Sequence, residues 1–352
     1  MKSALYSNGF IDVSVDIDND EVAYHVMNYL VSEKREKRNK EKYKIKAFVG
    51  KYRYEDRKEV KGSLKGEYGE NIVSYVVGDK QYFFNEDNGT TFYWKDQSTL
   101  VLFNEDKKGL FIDTYRSIRQ MLISDLLNRG AVVIHSSSVY INKKGYLFVG
   151  NKRAGKTTSL FQYLNDSRND ICYGSNERTL VLYDQGKIFM YGWPGTAFVG
   201  VGTIMSTIGL ESLYDVHKRA GETATWLSLH QLTDDKYIDK LISMGDAANE
   251  VQEKIWLTSN EIAYLTRREI ANYGYLDKVI WPNLRVGTPQ KIEQVKKSIK
   301  DEVITNLDFF SDWLGIRKKT NNHIEPLLDI LCRIPQYRIT GERLVTKLDE
   351  LL

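Results

Sequence analysis

Residues Gly150-Asn151-Lys152-Arg153-Ala154-Gly155-Lys156-Thr157 constrain this chain more than any other stretch. They satisfy G-x-x-x-x-G-K-[ST], a loop that has meaning only between a strand and a helix. Both flanks agree. Gly145-Tyr146-Leu147-Phe148-Val149 is a short apolar run that reads as a buried strand, and Thr158 to Leu164 continues with helical spacing. Glycines let successive backbone N–H groups turn inward with no Cβ in the way. The positive end of the helix dipole near Lys156 adds attraction for an anion. Gly150, Asn151, Lys152, Arg153, Ala154, Gly155, Lys156, Thr157 and Thr158 are therefore expected to cradle nucleotide phosphates. Lys156 would reach the β- and γ-phosphates and the Thr157 hydroxyl would ligate Mg²⁺.

Bulk properties narrow the class. The 352 residues suffice for one large domain or two, and 42% apolar content supports a real core. A net charge of +3 is too small to argue for nucleic acid or a membrane surface. Met1 to Phe10 carries no apolar signal-peptide region, and no apolar run approaches a membrane span. Cys172 and Cys332 lie far apart without metal-ligand spacing. A reduced, cytoplasmic protein is expected, with no membrane partner and nucleic acid disfavoured.

Periodicity divides the chain into two domains, 1–107 and 108–352. Val22, Ala23, Val26, Met27, Leu30 and Val31 form a helical stripe over 20–31. A charged run from Glu33 to Lys46 follows, read as a solvated helix end and loop rather than a docking surface. From Ile45 to Phe103, short alternating apolar segments separated by polar turns predict an antiparallel meander, so the first domain should be β-rich. Residues 112–128 predict a long helix stopped by Gly130. Strands are expected over 131–141 and 145–150, then at Ile171-Cys172-Tyr173, at Thr179 to Tyr183 and, after a turn at Asp184-Gln185-Gly186, at Ile188 to Tyr191. Hairpins beside the phosphate loop imply a mixed sheet. Helices are expected near 231–244, 287–300 and 341–351.

A nucleotide site of this kind needs polar or acidic partners for the metal and the attacking group. Gly174-Ser175-Asn176-Glu177-Arg178, after a short strand, supplies them. Asn176 and Glu177 could bind metal, and Glu177 could accept a proton from a hydroxyl. Arg178 could pair with Glu177 or fork onto phosphate. His25, His217, His230 and His323 have no company that suggests a metal or a triad. Thr346-Lys347-Leu348-Asp349 matches a guanine-reading pattern but lies in an amphipathic terminal segment, so the base preference is not readable.

The order of these stretches carries a family resemblance. Ile134-His135-Ser136-Ser137-Ser138-Val139, the phosphate loop, Ser175-Asn176-Glu177-Arg178, Gly192-Trp193-Pro194-Gly195 through Gly202-Thr203, Val279 to Leu284 and Ile334-Pro335-Gln336-Tyr337-Arg338 together resemble the HPr kinase/phosphorylase-like group over roughly residues 110–352. The resemblance implies an α/β (α+β) fold: a mixed-sheet P-loop kinase domain of the HPr kinase and phosphoenolpyruvate carboxykinase type, closer to the peptide-tailoring kinases, such as lasso-peptide kinases, than to HPr kinase itself. It implies transfer of the γ-phosphate of ATP, with Mg²⁺, to a Ser or Thr hydroxyl of a peptide or protein, or to a small hydroxylated metabolite. Lys156, Glu177 and His135 would be catalytic, and Thr157, Asn176 and Glu177 would hold metal. Two departures stand out. HPr kinase has two adjacent aspartates where this chain has Asn176 and Glu177, and an acidic residue where it has Thr158. An amide cannot act as a base, so a nucleotide-gated binding protein or an ATPase remains the alternative.

Overall fold

The computed structural model describes residues 1–31, 40–52, 59–65, 71–77, 80–166, 170–218, 235–285, 287–304, 310, 312–318 and 325–342. It is a mixed α/β structure with parallel and antiparallel pairing. The chain divides into two compact units, Met1–Asn128 with Asn306–Thr320, and Arg129–Thr305 with Asn321–Leu352. Among the described residues no helix is long and apolar enough to cross a membrane. Residues 33–39 of the charged run, His230, His323 and residues 343–351 of the expected terminal helix, with Thr346 to Asp349, lie outside the described residues.

Among its described residues, the first unit is one eight-stranded sheet with two helices. Its elements are β1 (Lys2–Ser7), β2 (Ile11–Ile17), α1 (Asp20–Tyr29), β3 (Lys40–Val49), β4 (Glu59–Lys65), β5 (Asn71–Val77), β6 (Lys80–Asn85), β7 (Thr91–Trp94), β8 (Thr99–Asn104) and α2 (Lys107–Asn128). The order is β1-β2-β3-β8-β7-β6-β5-β4. The expected meander exists from β4 to β8, but Ile45 belongs to β3, which runs parallel to both β2 and β8. The β1–β2 hairpin was not anticipated, although Ile11, Val13, Val15 and Ile17 alternate and are all buried. Helix α1 starts where the Asn19 side chain accepts from the Glu21 and Val22 N–H groups, both at 3.1 Å. The sequence boundary at 107/108 falls at the start of α2, which packs on α1, β2, β3 and β8.

A buried polar network ties α2 to the β6–β7 turn. The Asp113 carboxylate accepts from Asn85 Nδ2 at 3.1 Å and Asn88 Nδ2 at 2.8 Å, with Arg116 Nη1 at 3.4 Å. Burial pushes the Asp113 carboxyl up, while Arg116 and the hydrogen bonds from Thr90, Asn88 and Asn85 pull it back.

The second unit holds the 150–157 loop. Its elements are β9 (Val132–Ile141), β10 (Lys144–Val149), α3 (Lys156–Leu164), β11 (Ile171–Ser175), β12 (Arg178–Asp184), β13 (Lys187–Gly192), β14 (Ala197–Gly200), α4 (Val201–Thr207), α5 (Ser212–Lys218), α6 (Asp235–Ser243), β15 (Lys254–Leu257), α7 (Ser259–Thr266), β16 (Glu269–Ile270), β17 (Tyr273–Leu284), β18 (Lys291–Gln294), β19 (Val303–Ile304), α8 (Glu325–Leu331) and β20 (Gln336–Gly341). Pairings run β9–β10–β17–β13–β12 and return to β9, so these five strands close a ring. Strand β10 lies antiparallel to β9 and parallel to β17. One apolar cluster joins Val139, Ile141, Tyr146 and Phe148 to Leu160, Phe161 and Leu164 of α3. Another joins Ile134, Leu147, Val149 and Val279 to Leu327, Leu328 and Leu331 of α8.

The expected helix over 287–300 is absent. Lys291–Gln294 instead pairs antiparallel with β20, and Val295 N donates to Gln336 O at 2.9 Å. Ile292, Val295 and Ile299 have helical spacing, but the edge of β20 offers the segment a ladder of backbone hydrogen bonds, and that tertiary gain overrides the local pattern. Replacing Asp113 by Ala should lower the stability of the full chain by about 2–3 kcal/mol in urea unfolding, because the amides of Asn85 and Asn88 lose their acceptor in a buried setting. An unchanged midpoint would show that the network is replaceable.

Candidate functional site

The glycine loop, residues 150–157, leaves the C-terminal end of β10 and enters α3 at Lys156. Three residues take left-handed backbone angles: Gly150 at φ +137°, Arg153 at +68° and Gly155 at +100°. Ala154 N donates to Asn151 O at 3.1 Å, which closes the turn. Strand β17 braces it from the side, with Leu284 N donating to Ala154 O at 3.1 Å. A Cβ on Gly155 would stand 2.7–2.9 Å from the Leu284 side chain. Glycine is thus required at 155 twice over, by angle and by space.

Lys156 is only 9% exposed. Its ammonium donates to Gly150 O at 2.5 Å and Asn151 O at 3.3 Å, within the loop itself. Burial pulls its pKa down, Glu302 and Glu177 pull it back up, and Lys254 lowers it further.

Asn176 connects the loop to the neighbouring strands. Its buried Oδ1 accepts from Ser137 Oγ at 2.7 Å and from Thr157 Oγ1 at 3.1 Å, and its Nδ2 points to Phe198 O at 3.5 Å. Beside it, Ser175 Oγ meets Ser138 Oγ at 3.0 Å and Thr179 Oγ1 at 2.9 Å. Glu177 follows with φ +76°, an unfavourable angle for a residue with a Cβ. Its main-chain oxygen accepts from Ser136 N at 3.2 Å, which holds the turn against β9. Its carboxylate lies 3.3 Å from Lys254 Nζ and 3.9 Å from His135 Nε2. Burial and Lys156 hold the His135 pKa below its ordinary value, with Glu177 opposing. The imidazole is therefore neutral at neutral pH, and the His135–Glu177 approach is a contact of a neutral ring with a carboxylate rather than an ion pair.

The structure thus brings Lys156, Thr157, Asn176, Glu177 and His135 into one region. The remaining loop positions separate. Lys152 is exposed, and Arg153 donates to Gln252 Oε1 at 2.9 Å. The Thr158 hydroxyl meets Thr203 Oγ1 of α4 at 3.1 Å. The Arg178 guanidinium lies over the Trp193 ring at 5.5 Å. Two charged residues were missed by sequence reasoning. Lys254 begins β15, and Glu302 sits beside the loop, 7% exposed, with the Gly150 N–H donating to it. Neither carries a local signal, because each reaches the site through pairing distant in sequence. Ser137 lay within the motif but gave no sign of its bond to Asn176.

Among the described residues no three His, Cys, Asp or Glu side chains cluster as a metal site. The Thr157 hydroxyl and the Asn176 amide oxygen, 3.1 Å apart, are nevertheless hard oxygen donors of the sort Mg²⁺ accepts when phosphate and water complete its shell. No protein-family model matches the chain, and no curated protein matches it.

Gly155→Ala should destabilise the protein by roughly 1–3 kcal/mol, from φ strain and contact with Leu284. Leu284→Ala in the same chain should recover only part of that loss. Full recovery in thermal unfolding would mean the backbone angle costs nothing.

Proposed function

We propose that this chain is an ATP- and Mg²⁺-dependent kinase of the P-loop type resembling HPr kinase, acting on a hydroxyl of a peptide, a protein or a small metabolite. The observation that carries the proposal is the buried Lys156 inside a strand–loop–helix turn whose next residue, Thr157, is bonded to Asn176 beside Glu177. Phosphoryl transfer demands positioning and charge neutralisation more than covalent chemistry from the protein.

The backbone N–H groups of 151–156 receive the β-phosphate, and Lys156 moves onto the transferring group. Thr157 and Asn176, with Glu177 close by, would hold Mg²⁺, which when bound neutralises phosphate charge. Glu177 takes the proton of the acceptor hydroxyl as its oxygen bonds to the γ-phosphorus, and the bond from that phosphorus to the bridging oxygen breaks to release ADP. Neutral His135 keeps a polar ring against Glu177 without cancelling its charge. The first unit would recognise the acceptor.

A second reading has its own support. Asn176 is engaged by two hydroxyls and Glu177 by Lys254, so the loop is also suited to a nucleotide-gated switch or an ATPase without a separate acceptor. Incubation with Mg²⁺ and γ-labelled ATP, against candidate peptides and a cell extract, separates these. A kinase labels an acceptor with wild type, and Lys156→Ala and Glu177→Gln each lose at least about a hundredfold in transfer with unchanged circular dichroism. Free phosphate without acceptor identifies an ATPase, and binding with no product identifies the switch. Full transfer by Lys156→Ala would overturn the site assignment.

A further inference from the structure

Glu302 is a carboxylate placed where an anion-binding loop would not be expected to keep one. It closes the 3-10 turn Lys300–Glu302, anchored by Glu302 N donating to Ile299 O at 3.0 Å, with Ile299 buried in the core. Strand β19 follows at once and pairs with β9, Val303 opposite Ile134 and Ile304 opposite Val133. Strand β10 pairs with the continuation of β9, ending with Val149 opposite Ser136. Elements β10 and β19 therefore meet end to end along β9. Gly150 and Glu302 face each other at the junction, each one register step beyond its strand. The Gly150 N–H donates to the Glu302 carboxylate, and Lys156 is the principal charge acting on it. Lys156 in turn rests on the Gly150 carbonyl.

We propose that Glu302 is a positioning residue that competes with nucleotide phosphate for Lys156, so that it restrains affinity for nucleoside triphosphate and favours release. This rests on the reading of residues 150–157 as a phosphate site. The physical ground is Coulombic. A fixed anion behind the loop holds the ammonium that the β- and γ-phosphates must recruit. The effect must grow with the number of phosphates and must act through Lys156. A carboxylate that only shapes the loop would do neither, and its removal would weaken binding.

The test is calorimetric titration of the full chain with Mg²⁺ plus ATP, ADP or AMP. The proteins are wild type, Glu302→Gln, Glu302→Asp, Lys156→Ala and the Glu302→Gln/Lys156→Ala double variant, each checked by thermal unfolding. Glu302→Gln keeps an acceptor for the Gly150 N–H and removes the charge. It should bind ATP about tenfold tighter, ADP less so and AMP equally. Glu302→Asp, which keeps the charge, should stay near wild type, and the gain should vanish in the Lys156→Ala background. Nucleotide binding by wild type with Glu302→Gln unchanged or weaker overturns the competition alone, as does an equal gain for ATP and AMP. If Glu302→Gln fails to fold, an ATP affinity for Glu302→Asp reduced as severely as by Lys156→Ala overturns it. No binding by wild type overturns the phosphate-site reading and this inference with it.

Discussion

A lysine residue only 9% exposed organises the second unit. Burying an unpaired cation costs several kcal/mol, so such a group needs oxygen partners on several sides. Lys156 has the Gly150 and Asn151 carbonyls within hydrogen-bond distance, and the charges of Glu302 and Glu177 raise its pKa against the pull of burial. Those partners come from the loop, a turn before β12 and a turn before β19. Pairing of β10, β12 and β19 along β9 brings all of them to the C-terminal end of β10. Strand β9 is thus the means by which distant acidic residues reach a single cation.

Hydroxyl and amide groups do the local alignment. Ser137 and Thr157 share the Asn176 oxygen, and Ser138, Ser175 and Thr179 form a second chain of hydroxyl contacts beneath it. Buried polar groups of this kind are favourable only when satisfied, and then they fix geometry closely. The alignment places Glu177 at a positive φ, held by its main-chain bond to Ser136. Local strain of this sort persists where surrounding contacts over-determine the backbone, which is common at functional turns.

The core of this arrangement was legible in the sequence for specific reasons. Residues 145–164 announce themselves because glycine spacing and a change from strand to helix periodicity coincide. Asn176 and Glu177 were visible because they follow a short strand closely after the loop. Glu302 and Lys254 were not, since β19 and β15 are short and their pairings distant in sequence. The segment 287–300 misled because Ile292, Val295 and Ile299 fit a helix equally well until the edge of β20 is known. In the first unit, the alternation at Ile11 to Ile17 was readable, whereas the parallel placement of β3 beside β8 depends on a crossover that no local pattern encodes.

The central claim is that Lys156 leaves the loop carbonyls for phosphate. A crystal structure with Mg²⁺ and a non-hydrolysable ATP analogue tests it most directly. The account predicts the β-phosphate against the backbone N–H groups of 151–156, with Lys156 Nζ on the β- and γ-phosphate oxygens instead of on Gly150 O. An analogue bound elsewhere, or Lys156 still on the Gly150 carbonyl with phosphate present in the loop, would contradict it.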